Sequence, residues 1–297
     1  MADELEQLEK EVGHPGALLE ALISRITGEA ITQFSKIEAE WLRLMWCMDA
    51  YRVAGVAPRG MGKQTVSEGR RLAAIYRTKG NWFATIIAAL LQNRTSQPIA
   101  AKGRVQGFSQ PHQVDVAWPS REHDPLVCIE TKVTGAPKYA DTPSRGALAD
   151  YTNRRKEVKF AATDLKLYRR QQETAIEHWG VWRAQAPPKT YFMWAARLRT
   201  DNPPDKVESM IREAQILVDT YLEGAGILAW RERSDRSGYE VVPLPQRAMV
   251  TTLDDVIYRV ATEIKQAVGP QGTPPAPQVP EKPVEGAADV APDPSNE

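Results

Sequence analysis

Apolar residues recur along this chain with two different periods. Leu18, Leu19, Leu22, Ile23 and Ile26 return at helical spacing, and so do Ile31, Phe34, Trp41, Met45 and Met48, so the first 55 residues read as helix. Gly, Pro and Arg between Ala54 and Gly62 interrupt the pattern and predict a loop. A helix over about Val66 to Lys79 follows. Residues 81–92, NWFATIIAALLQ, are apolar almost all round, which predicts a helix buried on most sides. The pattern then changes. A stretch near Ile99 to Phe108 and the runs Gln113 to Trp118 and Leu126 to Val133 read as strands, the last two separated by a polar loop.

Residues 134–152, rich in Gly, Pro, Ala and Asp, predict a long loop, and loops of this length are often functional. Arg154 to Trp179 predicts a long basic helix and Lys189 to Leu198 a buried strand. Asp205 stands where an N-cap would, with Glu208 at the capping-box position. Val207, Met210, Ile211, Ala214, Leu217, Val218 and Tyr221 form one apolar face that Gly224 would end. Strands at Gly226 to Arg231 and Tyr239 to Leu244 and a last amphipathic helix (Leu253, Val256, Ile257, Val260, Ile264) complete the series, stopping at Gly269-Pro270. From Pro270 to the end there are eight prolines and almost no large apolar residues, a composition that predicts disorder. The interleaved elements predict an α/β fold, a mixed central β-sheet flanked by helices, with an N-terminal helical extension. The expected divisions are 1–62 (helical region), 63–269 (main domain) and 270–297 (Pro-rich acidic tail).

Charge sharpens this picture only through its distribution. Lys plus Arg and Asp plus Glu both total 38, so net charge names no partner. From Arg59 to Val105, however, nine basic residues meet one acid, Glu68, and from Asn153 to Arg170 seven meet two. Such segments suit an anionic polymer, although either alone would also suit a solvated helix face. Cys47 and Cys128 cannot make a disulfide framework. The acidic N-terminus is unlike a signal peptide, and the most apolar window, Trp82 to Leu91, is too short to span a bilayer. The expectation is a soluble cytoplasmic protein with no membrane partner.

The candidate chemistry lies in residues 111–133, PHQVDVAWPSREHDPLVCIETKV. Alternate side chains of a strand share a face, so Glu130 and Lys132 project together. If the two strands pair, Asp115 can approach Glu130. Two close carboxylates repel, and burial raises a pKa, unless a cation resolves the conflict. Mg²⁺ suits such a pair, because it takes hard oxygens at about 2.1 Å and commonly uses one or two carboxylates plus water and substrate phosphate. A bound metal activates water, and Lys132 would orient that water or stabilise the transition state. An exposed Asp and a Glu/Lys pair on an edge strand would carry the same residues without chemistry. A central apolar strand ending in two charges on one face speaks against it.

Asp, a loop, then Glu-x-Lys ending an apolar strand resembles the PD-(D/E)XK nuclease superfamily, whose core is restriction-endonuclease-like. The resemblance covers roughly residues 65 to 245: buried helix, strand, the Asp115 strand, the Glu130/Lys132 strand, helix and strand. It implies that Asp115 and Glu130 are metal ligands, that Lys132 is the catalytic lysine, and that the cofactor is Mg²⁺. Val114 precedes Asp115 where proline is common. Many members also carry a glutamate in the first core helix, and residues 81–92 have none. Glu68 is the nearest substitute as a further metal ligand, and Asn81 or Gln92 would suit a metal-bound water. The implied function is a Mg²⁺-dependent DNA endonuclease of restriction or anti-phage defence, and the partners it implies are DNA, a second copy of the chain in a homodimer, and proteins of a defence system. The alternatives are a catalytically inactive DNA-binding or assembly subunit with the same fold, and an RNA nuclease. Other candidates are weaker. GMGKQT at 60–65 resembles a phosphate loop, but no strand precedes it and Gln64 follows Lys63. His112 reads as structural rather than substrate-facing. His14, His123 and His178 show no ligand spacing, and the eight tryptophans read as core.

Overall fold

Four helices precede the sheet's main supporting helix. They are α1 (Ala2–Val12), α2 (Pro15–Gly28), α3 (Glu38–Ala54) and α4 (Glu68–Arg77), with a 3₁₀ turn at Phe34–Lys36. Their ends carry local signals: His14 Nδ1 accepts the Ala17 N–H at 3.3 Å beside Pro15 in the first turn of α2, and Gly55 closes α3 at φ +73°. This computed structural model describes the chain apart from residues 1, 64, 120–124, 140–142, 150, 180–186, 202, 246–248 and 269–297. The tail expected to be disordered lies outside the described residues.

The apolar run at 81–92 forms the middle of α5 (Lys79–Thr95). Phe83, Ile86, Ile87, Leu90 and Leu91 are fully buried, and each such side chain stabilises the fold by about 1.5–3 kcal/mol relative to exposure. Then come β1 (Ala100–Gln106), β2 (Pro111–Trp118), β3 (Val127–Thr134), α6 (Tyr151–Trp179), β4 (Lys189–Arg197), α7 (Val207–Val218), β5 (Gly224–Glu232), β6 (Tyr239–Val242), β7 (Val250–Thr252) and α8 (Leu253–Val268).

The strands form a seven-stranded sheet in the order β1-β2-β3-β4-β5-β6, with β7 also on β5. Strands β3, β4 and β5 run parallel, and β1–β2, β2–β3 and β5–β6 are antiparallel, so the sheet is mixed as expected. One core cluster joins Val116, Ile129, Tyr191, Met193 and Trp230 of the sheet to α5, α8 and helices of the first 55 residues; another joins Phe192, Trp194, Ala225 and Ile227 to α6 and α7. The fold is therefore α/β, with helices on both faces of the sheet and the N-terminal helices sharing its core. No helix among the described residues is long and apolar enough to cross a membrane.

Two local expectations are corrected, and one strand is new. Asp205 does not cap α7, whose N-cap is Lys206 without a side-chain hydrogen bond. The Asp205 carboxylate instead accepts the N–H groups of Ala147 and Arg199, both at 2.8 Å, and so ties the 135–149 loop to the end of β4. Helix α7 ends at Val218, six residues before Gly224, which opens β5 instead. The short strand β7 has no counterpart in the sequence pattern, because three residues are too few to show a period.

Candidate active site at the parting of two strands

Strands β2 and β3 are joined by only three residue pairs, Trp118–Val127, Ala117–Cys128 and Val116–Ile129. One step further on, Asp115 lies opposite Glu130, and there the ladder gives way. The Thr131 N–H does not bond a β2 carbonyl. It donates to Asp115 Oδ2 at 2.7 Å, and the Thr131 hydroxyl donates to the same oxygen at 2.9 Å. The carboxylate thus wedges between the strands. Its other oxygen, Oδ1, accepts from the Lys102 ammonium on β1. Lys102 reaches it from a left-handed backbone conformation, φ +63°, which is strained for a non-glycine residue.

Glu130 and Lys132 share a face of β3, as strand alternation predicts, and Lys132 Nζ donates to Glu130 Oε1 at 2.5 Å. Burial pushes the Glu130 carboxyl above the usual carboxylate range; Lys132 opposes the rise, Asp115 adds to it and Lys102 opposes it in turn. Asp115, Glu130, Lys132 and Lys102 therefore stand in one another's field. The three residues singled out from the sequence are brought together, and Lys102 is the member that the spacing did not reveal. Its only signal was membership of the basic segment 59–105.

The remaining candidates lie elsewhere. Glu68 accepts the Ala57 N–H at 2.7 Å and an Arg71 guanidinium N–H at 3.3 Å, and it is not among the residues that line the groove beside Asp115. Gln92 Oε1 accepts the Ile99 N–H at 3.4 Å, whereas Asn81 does line the groove. His112 bonds buried Asp164 at 2.8 Å, and Ser109 bonds the same carboxylate through its N–H and hydroxyl. Burial would raise the Asp164 carboxyl, but these bonds outweigh it and hold the group low. That cluster pins the β1–β2 turn to α6, the structural role expected of His112. His14 spends both ring nitrogens on Ala17 N and Arg59 O. His123 and Gln64 lie outside the described residues.

The groove at Asp115 encloses about 460 Å³ and opens at the C-terminal end of β3. In open α/β sheets, ligands collect at such strand ends. Among the described residues, six cations line it (Arg52, Arg77, Lys79, Lys102, Lys132 and Arg145) together with one carboxylate, Asp115. Lys79 is 5% exposed, lies 3.6 Å from the Tyr76 ring centroid and 3.9 Å from Asp49 Oδ1. Burial pushes it down to about 8; Asp49 opposes the shift, and Arg52 and Arg197 reinforce it. Buried Asp49 also accepts from the Tyr76 hydroxyl at 2.6 Å and from the Tyr239 hydroxyl, and faces Arg197 at 3.8 Å. In the other basic segment, Arg155 pairs with Glu213, Lys166 with Glu223, and Lys159 lies over the Tyr221 ring.

The donor set fits a divalent cation in two respects. Asp115 and Glu130 supply hard oxygens, and an ammonium already stands at Asp115 Oδ1, which marks that oxygen as a cation position. Among the described residues no group of three or more Asp, Glu, His or Cys gathers, so these residues would provide two carboxylates. Comparison with models of known families, with curated proteins and with solved structures finds no match to this chain.

Proposed function

We propose that this protein is a Mg²⁺-dependent, restriction-endonuclease-like nuclease that hydrolyses DNA phosphodiester bonds in restriction or anti-phage defence. The observation that carries the reading is the meeting of Asp115, Glu130 and Lys132 where β2 and β3 part, at the head of a cation-lined groove. Asp115 and Glu130 would hold the metal, which supplies a water of lowered pKa and neutralises charge on the phosphate. Lys132, released from Glu130, would place its ammonium where negative charge builds on the phosphoryl oxygens. Thr131 holds Asp115 in orientation through two hydrogen bonds, and Lys102 balances it until a divalent cation takes its place. The groove's cations would draw in the sugar–phosphate backbone.

A second reading has an observation of its own. Each carboxylate already has a lysine partner, so the four groups sum to zero charge without a metal. That suits a DNA-binding or assembly subunit that does not cut. Digestion of supercoiled plasmid with Mg²⁺, with EDTA, and with Asp115→Ala and Lys132→Ala separates the two. The nuclease reading expects nicked or linear product in Mg²⁺ alone, and a loss of about 100-fold or more in either variant. Cleavage by either variant at the wild-type rate, or no cleavage of DNA by wild type in Mg²⁺ or Mn²⁺, ends it. A parallel digest of RNA identifies an RNA nuclease.

A further inference from the structure

Charge bookkeeping around the groove leaves a remainder. Lys102 is balanced by Asp115, Lys132 by Glu130, Lys79 by Asp49, and Arg197 by Glu232 at 3.3 Å. Arg52 and Arg77 have no carboxylate partner among the described residues, yet both line the same bank as Lys79. Arg52 lies over the Tyr76 and Tyr139 rings at 4.6 and 5.8 Å, and its Nε is buried without a hydrogen-bond acceptor. A buried guanidinium nitrogen without an acceptor costs free energy that a bound anion would recover. Two uncompensated guanidiniums and a buried ammonium in one concavity also repel one another, in a chain whose total charge is zero.

We infer that the part of the groove lined by Arg52, Arg77, Lys79 and Asn81 is an anion subsite that binds a phosphate group, formed by residues other than Asp115 and Glu130. The excess of two positive charges matches a phosphate dianion or two neighbouring backbone phosphates. Planar guanidinium forks pair with the oxygens of phosphate and carboxylate alike, and the excess charge of two favours a phosphate dianion over a monovalent carboxylate. The first turn of the 17-residue helix α5, Lys79 to Asn81, lines the bank and adds the positive end of its dipole. Asn81 supplies an amide donor. On the nuclease reading, this bank holds a phosphate of the strand while another lies at Asp115. The subsite itself does not depend on cleavage.

The test is calorimetric titration of the full chain in EDTA, with inorganic phosphate and with 5′-phosphorylated and 5′-hydroxyl oligo(dT). Wild type is expected to bind phosphate. Arg77 is exposed, so Arg77→Ala should fold, with an unchanged melting curve, and bind phosphate about tenfold or more weakly. Arg77→Lys should recover part of the loss, which a packing role would not produce. Asp115→Asn should bind phosphate at least as well as wild type, because it removes a negative charge from the groove. Preference for the 5′-phosphorylated oligonucleotide identifies a terminal phosphate, and equal binding of the two identifies internal backbone phosphates. No phosphate binding by wild type, or equal binding by Arg77→Ala, overturns the subsite. Phosphate binding without DNA cleavage retains the subsite and removes the nuclease reading.

Discussion

Asp49 holds four groups from four elements: Tyr76 of α4, Lys79 of α5, Arg197 of β4 and Tyr239 of β6. Removing one partner of a buried charge network leaves the others uncompensated. Asp49→Ala should therefore cost about 3–5 kcal/mol in chemical denaturation. A cost below about 1 kcal/mol would show that the network is not under tension. Lys79 gives a pH signature. Its folded pKa, about 8, lies below the ordinary value of 10.5, so between these values the unfolded chain binds more protons and stability rises with pH. The charged groups facing Lys79 are Asp49 and Arg52 of α3 and Arg197 of β4, with the Tyr76 and Tyr239 hydroxyls, which burial pushes well above 10. Cys47, pushed up to about 12 by burial, opposes the trend above about pH 9 and the tyrosines above pH 10, so the window is pH 8 to 9. There wild type should gain roughly 1 kcal/mol per pH unit at most, and Lys79→Met should flatten the slope. An equal slope in the variant would assign the effect elsewhere.

At the scale of elements, what was readable depended on how far apart the interacting residues stand. Glu130 and Lys132 sit two positions apart, and alternation alone put them together. Asp115 followed from pairing consecutive strands. The buried helix at 81–92 was legible because its apolar residues run around the whole helical surface. The contact of Asp49 with Tyr239 spans 190 positions, and no local pattern carries it. Asp205 shows the opposite error. It had the right residue type in the right place for a helix cap, but its carboxylate bonds Ala147, 58 positions away. Lys102 was visible only as charge, because it stands opposite Asp115 only through the register of β1 on β2, which the sequence pattern does not give. The end of β3 depends on Gly135 at φ +79°, where a Cβ would stand 2.2 Å from the Arg197 carbonyl oxygen. Gly135→Ala should destabilise by at least about 2 kcal/mol and distort the groove that Gly135 lines. Unchanged stability and unchanged phosphate binding in this variant would show that the strand end adjusts.

For the whole molecule, neutrality is a matter of placement. The 38 cations and 38 anions cancel in sum, yet six cations among the described residues line one groove, while Arg155 and Lys166 of α6 are paired within the fold. Association with DNA should then be salt-dependent although the protein has no net charge. If two phosphates sit on the Arg52–Arg77 bank, log affinity should fall with log salt with a slope of roughly −1.4 for single strands, and Arg77→Ala should reduce that slope by about half. A slope indistinguishable from zero would exclude the groove as a backbone track.

The three pairs that join β2 to β3 compare with eight between β3 and β4. Asp115, Lys102 and the whole β1–β2 hairpin stand on one side of this seam, and Glu130 and Lys132 on the other. Hydrogen exchange should therefore reach the amides of the β1–β2 hairpin before those of β4 and β5, as one cooperative unit. The two carboxylates that would share a cation thus stand on opposite sides of this short ladder, and a ligand bound by both would act as a rivet across the seam.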